Sequence, residues 1–172
     1  ILFAESVASP RQVGHALGGI DDEVFEGTFF PNFLSTEDTN HKALVSSFIW
    51  RRFYVKNWDW CDGIDKSSWS PAQIGQFLTC LPFTKETWNR ASEWLKELEC
   101  EYWTRTGANA YQTDCDLPIA IEKLIEHGRP HAAINCLYRM LHSKQPINTD
   151  QCVQALLAAL SSNEAIDCCG SL

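Results

Sequence analysis

Apolar side chains recur with the period of an α-helix along most of this chain, and this pattern constrains the fold more than any other feature. One example is the set Ile74, Phe77, Leu78 and Leu81, whose spacing gathers the four side chains on one face of a helix. The other stripes are Val45, Phe48, Ile49 and Phe53; Trp88, Ala91, Leu95, Leu98 and Tyr102; Leu117, Ile121, Leu124 and Ile125; Ala133, Leu137, Met140 and Leu141; and Val153, Leu156, Leu157 and Leu160. We find no convincing strand alternation, so the sequence predicts an all-α fold.

Signals for helix starts agree with these stripes. Ser70, Pro71 and Gln73 supply an N-cap serine, a proline at the first helical position and the glutamine that completes a capping box. Residues 9–12 repeat this arrangement, and Asn148 with Gln151 offers a third capping box. The likeness between residues 9–17 and 70–78 fits either a degenerate repeat or, as we favour, two locally similar helix starts.

A glycine predicts a tight turn between two helices in the second half of the chain. Gly128 is suited to the position after a helix end, and Pro130 is suited to open the next helix. Helices near 117–127 and 130–142 are then joined so closely that they are predicted to form an antiparallel hairpin. Residues 18–37 are predicted to be a linker pinned by its aromatic side chains, and residues 104–115 a second loop.

Together these signals predict about six to eight helices in antiparallel pairs, forming a short α-solenoid or an irregular bundle. The 172 residues suit a single helical domain, 1–172. Because the chain begins with Ile1 rather than Met, we expect it to be a fragment of a longer protein.

Charge and hydropathy exclude several classes of partner. The formal net charge is −8, so binding to nucleic acid or to an anionic membrane is disfavoured. No apolar run approaches the roughly 20 residues that a bilayer requires. Of the eight cysteines, Cys80, Cys136 and Cys152 fall on apolar helical faces, which predicts reduced thiols and a cytoplasmic location.

No motif points to a reaction or a cofactor. His127 and His131 have the spacing of a zinc helix, but Gly128 and Pro130 interrupt the helix between them, and no Cys-x-x-Cys occurs. Neither a nucleophile elbow nor a phosphate-binding glycine loop is present. We therefore expect no metal, no cofactor and no enzymatic activity.

Seven tryptophans form the most unusual compositional feature of the chain. Packing between helices is the favoured interpretation, because aromatic side chains bury a large area. A partner-binding surface is the alternative for the region around residues 51–69, where basic and acidic side chains alternate with indoles. Its candidate residues are Arg51, Arg52, Trp58, Asp59, Trp60 and Trp69.

The segment from Ile121 to Leu141 resembles a tetratricopeptide or HEAT-like helical hairpin. Its glycine turn precedes a helix in which the small residues Ala132 and Ala133 would pack close to the partner helix. This hairpin and residues 81–88 are also similar to helical regions of large uncharacterised bacterial multidomain proteins, some of them linked to phage defence. The resemblance implies a helical repeat and assigns no catalytic residue.

These observations favour a non-enzymatic protein-interaction or scaffold segment of a larger cytosolic protein. Its expected partner is another protein or another domain of the parent chain. Two alternatives remain open: an enzyme with a site near the Trp58–Trp69 cluster, and an RNA-binding helical repeat. Shifted pKa values in a cleft would favour the enzyme, a continuous basic groove would favour RNA, and an exposed apolar patch favours protein binding.

Overall fold

The computed structural model describes residues 9–20, 26, 30, 32–113 and 115–162. Within these residues it contains no strand and eight α-helices of defined extent, so the predicted all-α class is confirmed. The helices are α1 (Pro10–Gly18), α2 (Thr39–Gly63), α3 (Pro71–Thr79), α4 (Lys85–Leu95), α5 (Cys100–Trp103), α6 (Leu117–Glu126), α7 (Pro130–His142) and α8 (Thr149–Leu160). Short 3₁₀ turns occur at Lys96–Leu98 and Ala110–Gln112.

The chain divides into two compact units, Ile1–Leu81 and Pro82–Leu172. The first unit contains α1 to α3 and the second contains α4 to α8. The prediction of a single domain over 1–172 stays a prediction.

The predicted helix starts are present in the structure. Ser9 and Ser70 each close a reciprocal capping box with the glutamine three residues later. Asn148 also caps its helix, since its side-chain oxygen accepts from the backbone N–H of Asp150 at 2.9 Å. The third predicted capping box is not formed: the side chain of Gln151 donates to the carbonyl of Pro118 at 3.0 Å, which ties the start of α8 to the start of α6.

The core of the first unit lies where α1 packs against α2. Val45, Phe48 and Ile49 of α2 are fully buried, as their stripe predicts. The backbones approach so closely that a Cβ on Gly18 would lie 2.6 Å from the carbonyl oxygen of Phe48. Glycine is therefore required for steric reasons at this crossing.

Helix α2 is broken at Asn57, which has φ of 59° and ψ of −157°. A non-glycine residue rarely adopts these angles. The break redirects residues 58–63 relative to the long preceding segment, so the chain from Trp58 onward does not continue the stripe of Val45 and Phe48. The sequence carries no glycine or proline that would have indicated this break.

The stripe from Trp88 to Tyr102 does not belong to one helix. Helix α4 ends at Leu95, and Lys96 has φ of 52° and ψ of −120°, so a 3₁₀ turn follows. Leu98 is 46% exposed because this turn rotates it out of the stripe. Trp88, Leu95 and Tyr102 are buried as predicted.

Helices α6, α7 and α8 pack on one another in the second unit. Gly128 has φ of 72°, and the N–H groups of Gly128 and Arg129 donate to the carbonyls of Ile125 and Leu124. This is the Schellman arrangement that ends a helix with a left-handed residue. The predicted glycine stop is therefore confirmed, whereas the antiparallel hairpin stays a prediction.

The core between these helices contains most of the predicted side chains. Leu117, Ile121 and Leu124 of α6 and Ala133 of α7 are fully buried, and Leu137 and Met140 lie beside them. The stripe predicts that Leu141 lies on the same face, but Leu141 is 63% exposed. The face of α7 that packs is therefore narrower than its apolar stripe.

Candidate functional site

A cavity of about 750 Å³ opens in the first unit beside the region that the sequence singled out. Its apolar lining comes from Phe30, Trp60, Ile64 and Trp69. Its polar lining comes from Glu26, Lys56, Asp59, Asp65 and Ser68, and Gly63 completes it. We call this cavity the indole pocket.

The apolar side of the indole pocket rests on a cluster of four aromatic rings. Phe30 is 1% exposed, and its ring lies edge-on to Trp69 at 5.6 Å and to Phe77 at 6.0 Å. Phe77 also contacts the rings of Trp60 and Trp69. Edge-to-face pairs of this kind hold the rings in fixed orientations. Both indoles therefore pack on buried phenylalanine rings, Trp69 edge-to-face and Trp60 at a tilt.

A buried charge pair supports the same wall. The Nε atom of Arg52 lies 2.7 Å from one carboxylate oxygen of Glu26, and Trp60 Nε1 donates to the other oxygen at 2.9 Å. The Arg52 side chain is 2% exposed and that of Glu26 is 14% exposed. Most of the charge on the Glu26 carboxylate is therefore compensated within the protein.

The remaining charged groups lie around the opening. Asp59 and Asp65 are exposed, and Lys56 is half-buried. The backbone N–H of Ser67 donates to Asp65 at 2.9 Å, and this hydrogen bond lowers the pKa of the Asp65 carboxyl. Asp65 therefore presents a carboxylate at neutral pH.

The break in α2 determines which side chains of this segment reach the indole pocket. Lys56 precedes Asn57, and Asp59 and Trp60 follow it, yet all three line the cavity. A residue keeps a sparsely populated backbone conformation only when the surrounding structure holds it there. The strained residue of α2, Asn57, therefore lies in the segment that lines the cavity.

Only three of the six candidate residues predicted from the sequence line the indole pocket: Asp59, Trp60 and Trp69. Trp58 packs instead on Phe53 at 4.8 Å. Arg51 lies over the ring of Tyr54 at 5.8 Å. Arg52 is buried against Glu26, so the two predicted arginines do not share one exposed surface.

The six candidate residues did not include Glu26, Phe30 or Lys56, although Lys56 lies within the predicted region 51–69. Glu26 and Phe30 were assigned to a linker over 18–37, but both have helical backbone, so the linker assignment is wrong at these positions. The prediction that aromatic side chains pin this segment is confirmed at Phe30. The adjacent pair Phe29-Phe30 was the available signal for a buried contact.

A second feature is an exposed apolar face on α8, which we call the leucine face. It consists of Val153, Leu156, Leu157 and Leu160, the last of the apolar stripes in the sequence. Leu156 is 52% exposed, Leu157 62% and Leu160 86%. The opposite side of α8 packs through Ala155, which is fully buried. The apolar stripe is present on α8, but the helix packs through the opposite face, which contains Ala155.

The described residues offer little for metal or thiol chemistry. No group of three or more His, Cys, Asp or Glu side chains in this part of the chain is arranged to hold a metal ion. Six cysteines, all those in the described ranges, are free thiols, whereas Cys168 and Cys169 lie outside them. Burial raises the pKa of Cys136 to about 12 and also raises that of Cys80. Such thiols are poor nucleophiles at neutral pH.

Comparison with protein-family models, with curated proteins and with solved structures finds no match for this chain. Among the described residues, no helix combines the length and the hydropathy needed to cross a bilayer.

Proposed function

We propose that this chain is a non-enzymatic protein-interaction or scaffold segment of a larger cytosolic protein, and that it binds its partner through the leucine face of α8. The observation that carries this proposal is the exposure of Leu156, Leu157 and Leu160 on a single helix. Burying one such side chain is worth about 1.5–3 kcal/mol. A contiguous apolar face of this kind is typical of an interaction site.

Helix α8 is apolar on two opposite sides. Ala155 lies at the centre of the packed side, and Leu157 is about 200° around the helix from it. A helix that is apolar all round is normally buried on all sides. The leucine face therefore favours a further element that packs over it, supplied by a protein partner or by another domain of the parent chain.

The spacing of the leucine face favours an amphipathic helix as that element. Val153, Leu156, Leu157 and Leu160 follow the i, i+3, i+4, i+7 pattern that forms ridges for helix packing. We further propose that α6, α7 and α8 belong to a tetratricopeptide or HEAT-like array of helical hairpins. The end helix of such an array has a polar outer face. Because α8 has leucines on its outer face, we propose that α8 is followed by a further packed element.

The two alternative functions receive less support. A general acid at neutral pH requires a raised carboxyl pKa, yet the resolved shift in the indole pocket lowers the pKa of Asp65. Nucleic-acid binding requires exposed cations, yet Arg52 is directed into the protein and the pocket carries carboxylates. Neither alternative is therefore proposed.

Site-specific photo-crosslinking in the native host tests the proposal. A photoreactive residue at Leu157 should form a discrete crosslinked product, and one at Gln154 should not, because Gln154 is exposed on the same helix but outside the leucine face. The crosslinked protein, once identified and purified, should bind the full chain. Leu157→Ser should weaken this binding about ten-fold or more, whereas Gln154→Ser should leave it unchanged. Equal crosslinking at both positions would contradict the proposal.

A further inference from the structure

We propose that the indole pocket binds an organic cation, namely an amine or guanidinium group attached to an apolar body. This site belongs to the first unit and goes beyond the role proposed for α8. The inference depends on the size of the cavity, its aromatic wall and the sign of the charges around its opening.

The size of the indole pocket suits an organic molecule and not a bare ion. Its volume of about 750 Å³ falls within the range of roughly 300–1,000 Å³ that is typical of ligand pockets. Trp60, Trp69 and Ile64 give it an apolar wall against which a hydrocarbon or aromatic body can pack. A ligand body that packs against this wall removes apolar surface from water, which favours binding.

The charges around the opening select a cation. Arg52 compensates Glu26, so among the described lining residues a ligand meets chiefly the carboxylates of Asp59 and Asp65, opposed by Lys56 in the lining and by Lys66 beside Asp65. The net charge of −8 adds a long-range attraction for cations. An indole that presents its face to the ligand would favour the same sign, because the face of an aromatic ring attracts positive charge.

Several contacts within the protein position the wall of the indole pocket. Glu26 is fixed by Arg52 at 2.7 Å and by Trp60 at 2.9 Å, and the rings of Phe30 and Phe77 fix Trp69. The conformation of Asn57 holds Lys56 and Trp60 on the same cavity. A wall that is positioned in this way lowers the entropic cost of binding.

Calorimetric titration of the full chain with 2-phenylethylammonium and with its neutral analogue 2-phenylethanol tests the sign of the charge. We expect the amine to bind more tightly than the alcohol, and its affinity to fall as salt is added. A blocked pentapeptide with a central arginine tests whether a basic side chain of a protein can supply the same cation. Binding of the alcohol as tightly as both cations would overturn the proposal, as would no binding of any of the three.

Two pairs of variants locate the binding. Asp59→Asn should weaken amine binding about three-fold, and Asp62→Asn should not, because Asp62 is exposed on the same helix but does not line the cavity. Gly63→Leu should weaken amine binding by narrowing the cavity, since Gly63 lines it and a Cβ there meets nothing within 4 Å. Gly107→Leu is the matched control, because Gly107 is equally open but lies in the other unit. Equal effects within either pair would place the cation elsewhere and overturn the proposal.

Discussion

Several individual residues hold backbone conformations that their side chains disfavour. Asn57 and Lys144 have φ of 59° and 56°, whereas Gly128 has φ of 72° without steric penalty. Lys144 ends α7 in the same way that Gly128 follows α6: its N–H and that of Gln145 donate to the carbonyls of Leu141 and Met140. The sequence indicates only the glycine-based ending, because lysine has no preference for a positive φ.

The strain at Asn57 predicts that Asn57→Gly stabilises the first unit. Relief of the disfavoured angles should exceed the entropic cost of glycine and leave a gain of about 1 kcal/mol in the free energy of unfolding. Urea denaturation measures it. Asn89→Gly, in the regular part of α4, is the control and should destabilise by a few tenths of a kcal/mol. A loss at Asn57 as large as that at Asn89 would mean that Asn57 is not strained.

The two helix ends with positive φ predict opposite effects of substitution. Gly128→Ala should lower the free energy of unfolding by about 1 kcal/mol, because alanine is strained at this φ. Lys144→Gly should raise it by a similar amount, since the same strain is removed. Thermal denaturation of the two variants measures both changes. The control is Gly107→Ala, for which a Cβ has open space and the change should be small.

At the scale of helices, the apolar stripes identify where helices lie more reliably than which side chains pack. Leu98 is turned outward by the 3₁₀ turn after Lys96, and Leu141 lies at the edge of a face whose packing ends at Met140. In α8 the alanine side is buried and the leucine side is exposed. A stripe predicts that a face is apolar, but the position of the neighbouring helices determines whether it is covered.

The packing of α7 on α6 predicts a large difference between two neighbouring substitutions. Leu137→Ala should cost about 2–5 kcal/mol, because Leu137 is 6% exposed and its removal leaves a cavity. Asn135→Ala should change stability by no more than about 0.5 kcal/mol, since Asn135 is exposed on the other side of α7. Chemical denaturation distinguishes them. A larger loss at Asn135 would mean that the packed face of α7 is assigned wrongly.

At the scale of the whole molecule, net charge and the leucine face act against each other. Repulsion between chains with a charge of −8 opposes association at neutral pH. The sequence isoelectric point is about 5.0, so this repulsion disappears as the pH falls toward that value. The exposed leucines of α8 are then free to bring chains together.

We therefore expect self-association of the full chain to increase as the pH is lowered from 7 toward 5. Light scattering as a function of pH measures it. Replacing Leu157 and Leu160 with serine should reduce the increase, because it removes much of the exposed apolar area. Replacement of Gln154 by serine is the matched control and should have no effect. If the leucine substitutions did not change the self-association, another surface of the chain would be responsible for it.

The sequence alone determined the helical class, the helix starts at Ser9, Ser70 and Asn148, and the stop at Gly128, because these signals act within a few residues. Only the tertiary structure decided which faces of those helices are buried and which side chains form the indole pocket. Glu26 and Trp60 are 34 residues apart in the chain, yet their hydrogen bond supports one wall of the indole pocket. Arg52 is buried because Glu26 compensates its charge, and the leucine face is exposed because α8 packs through Ala155. Such outcomes depend on which distant segments meet, and no local pattern in the sequence specifies that.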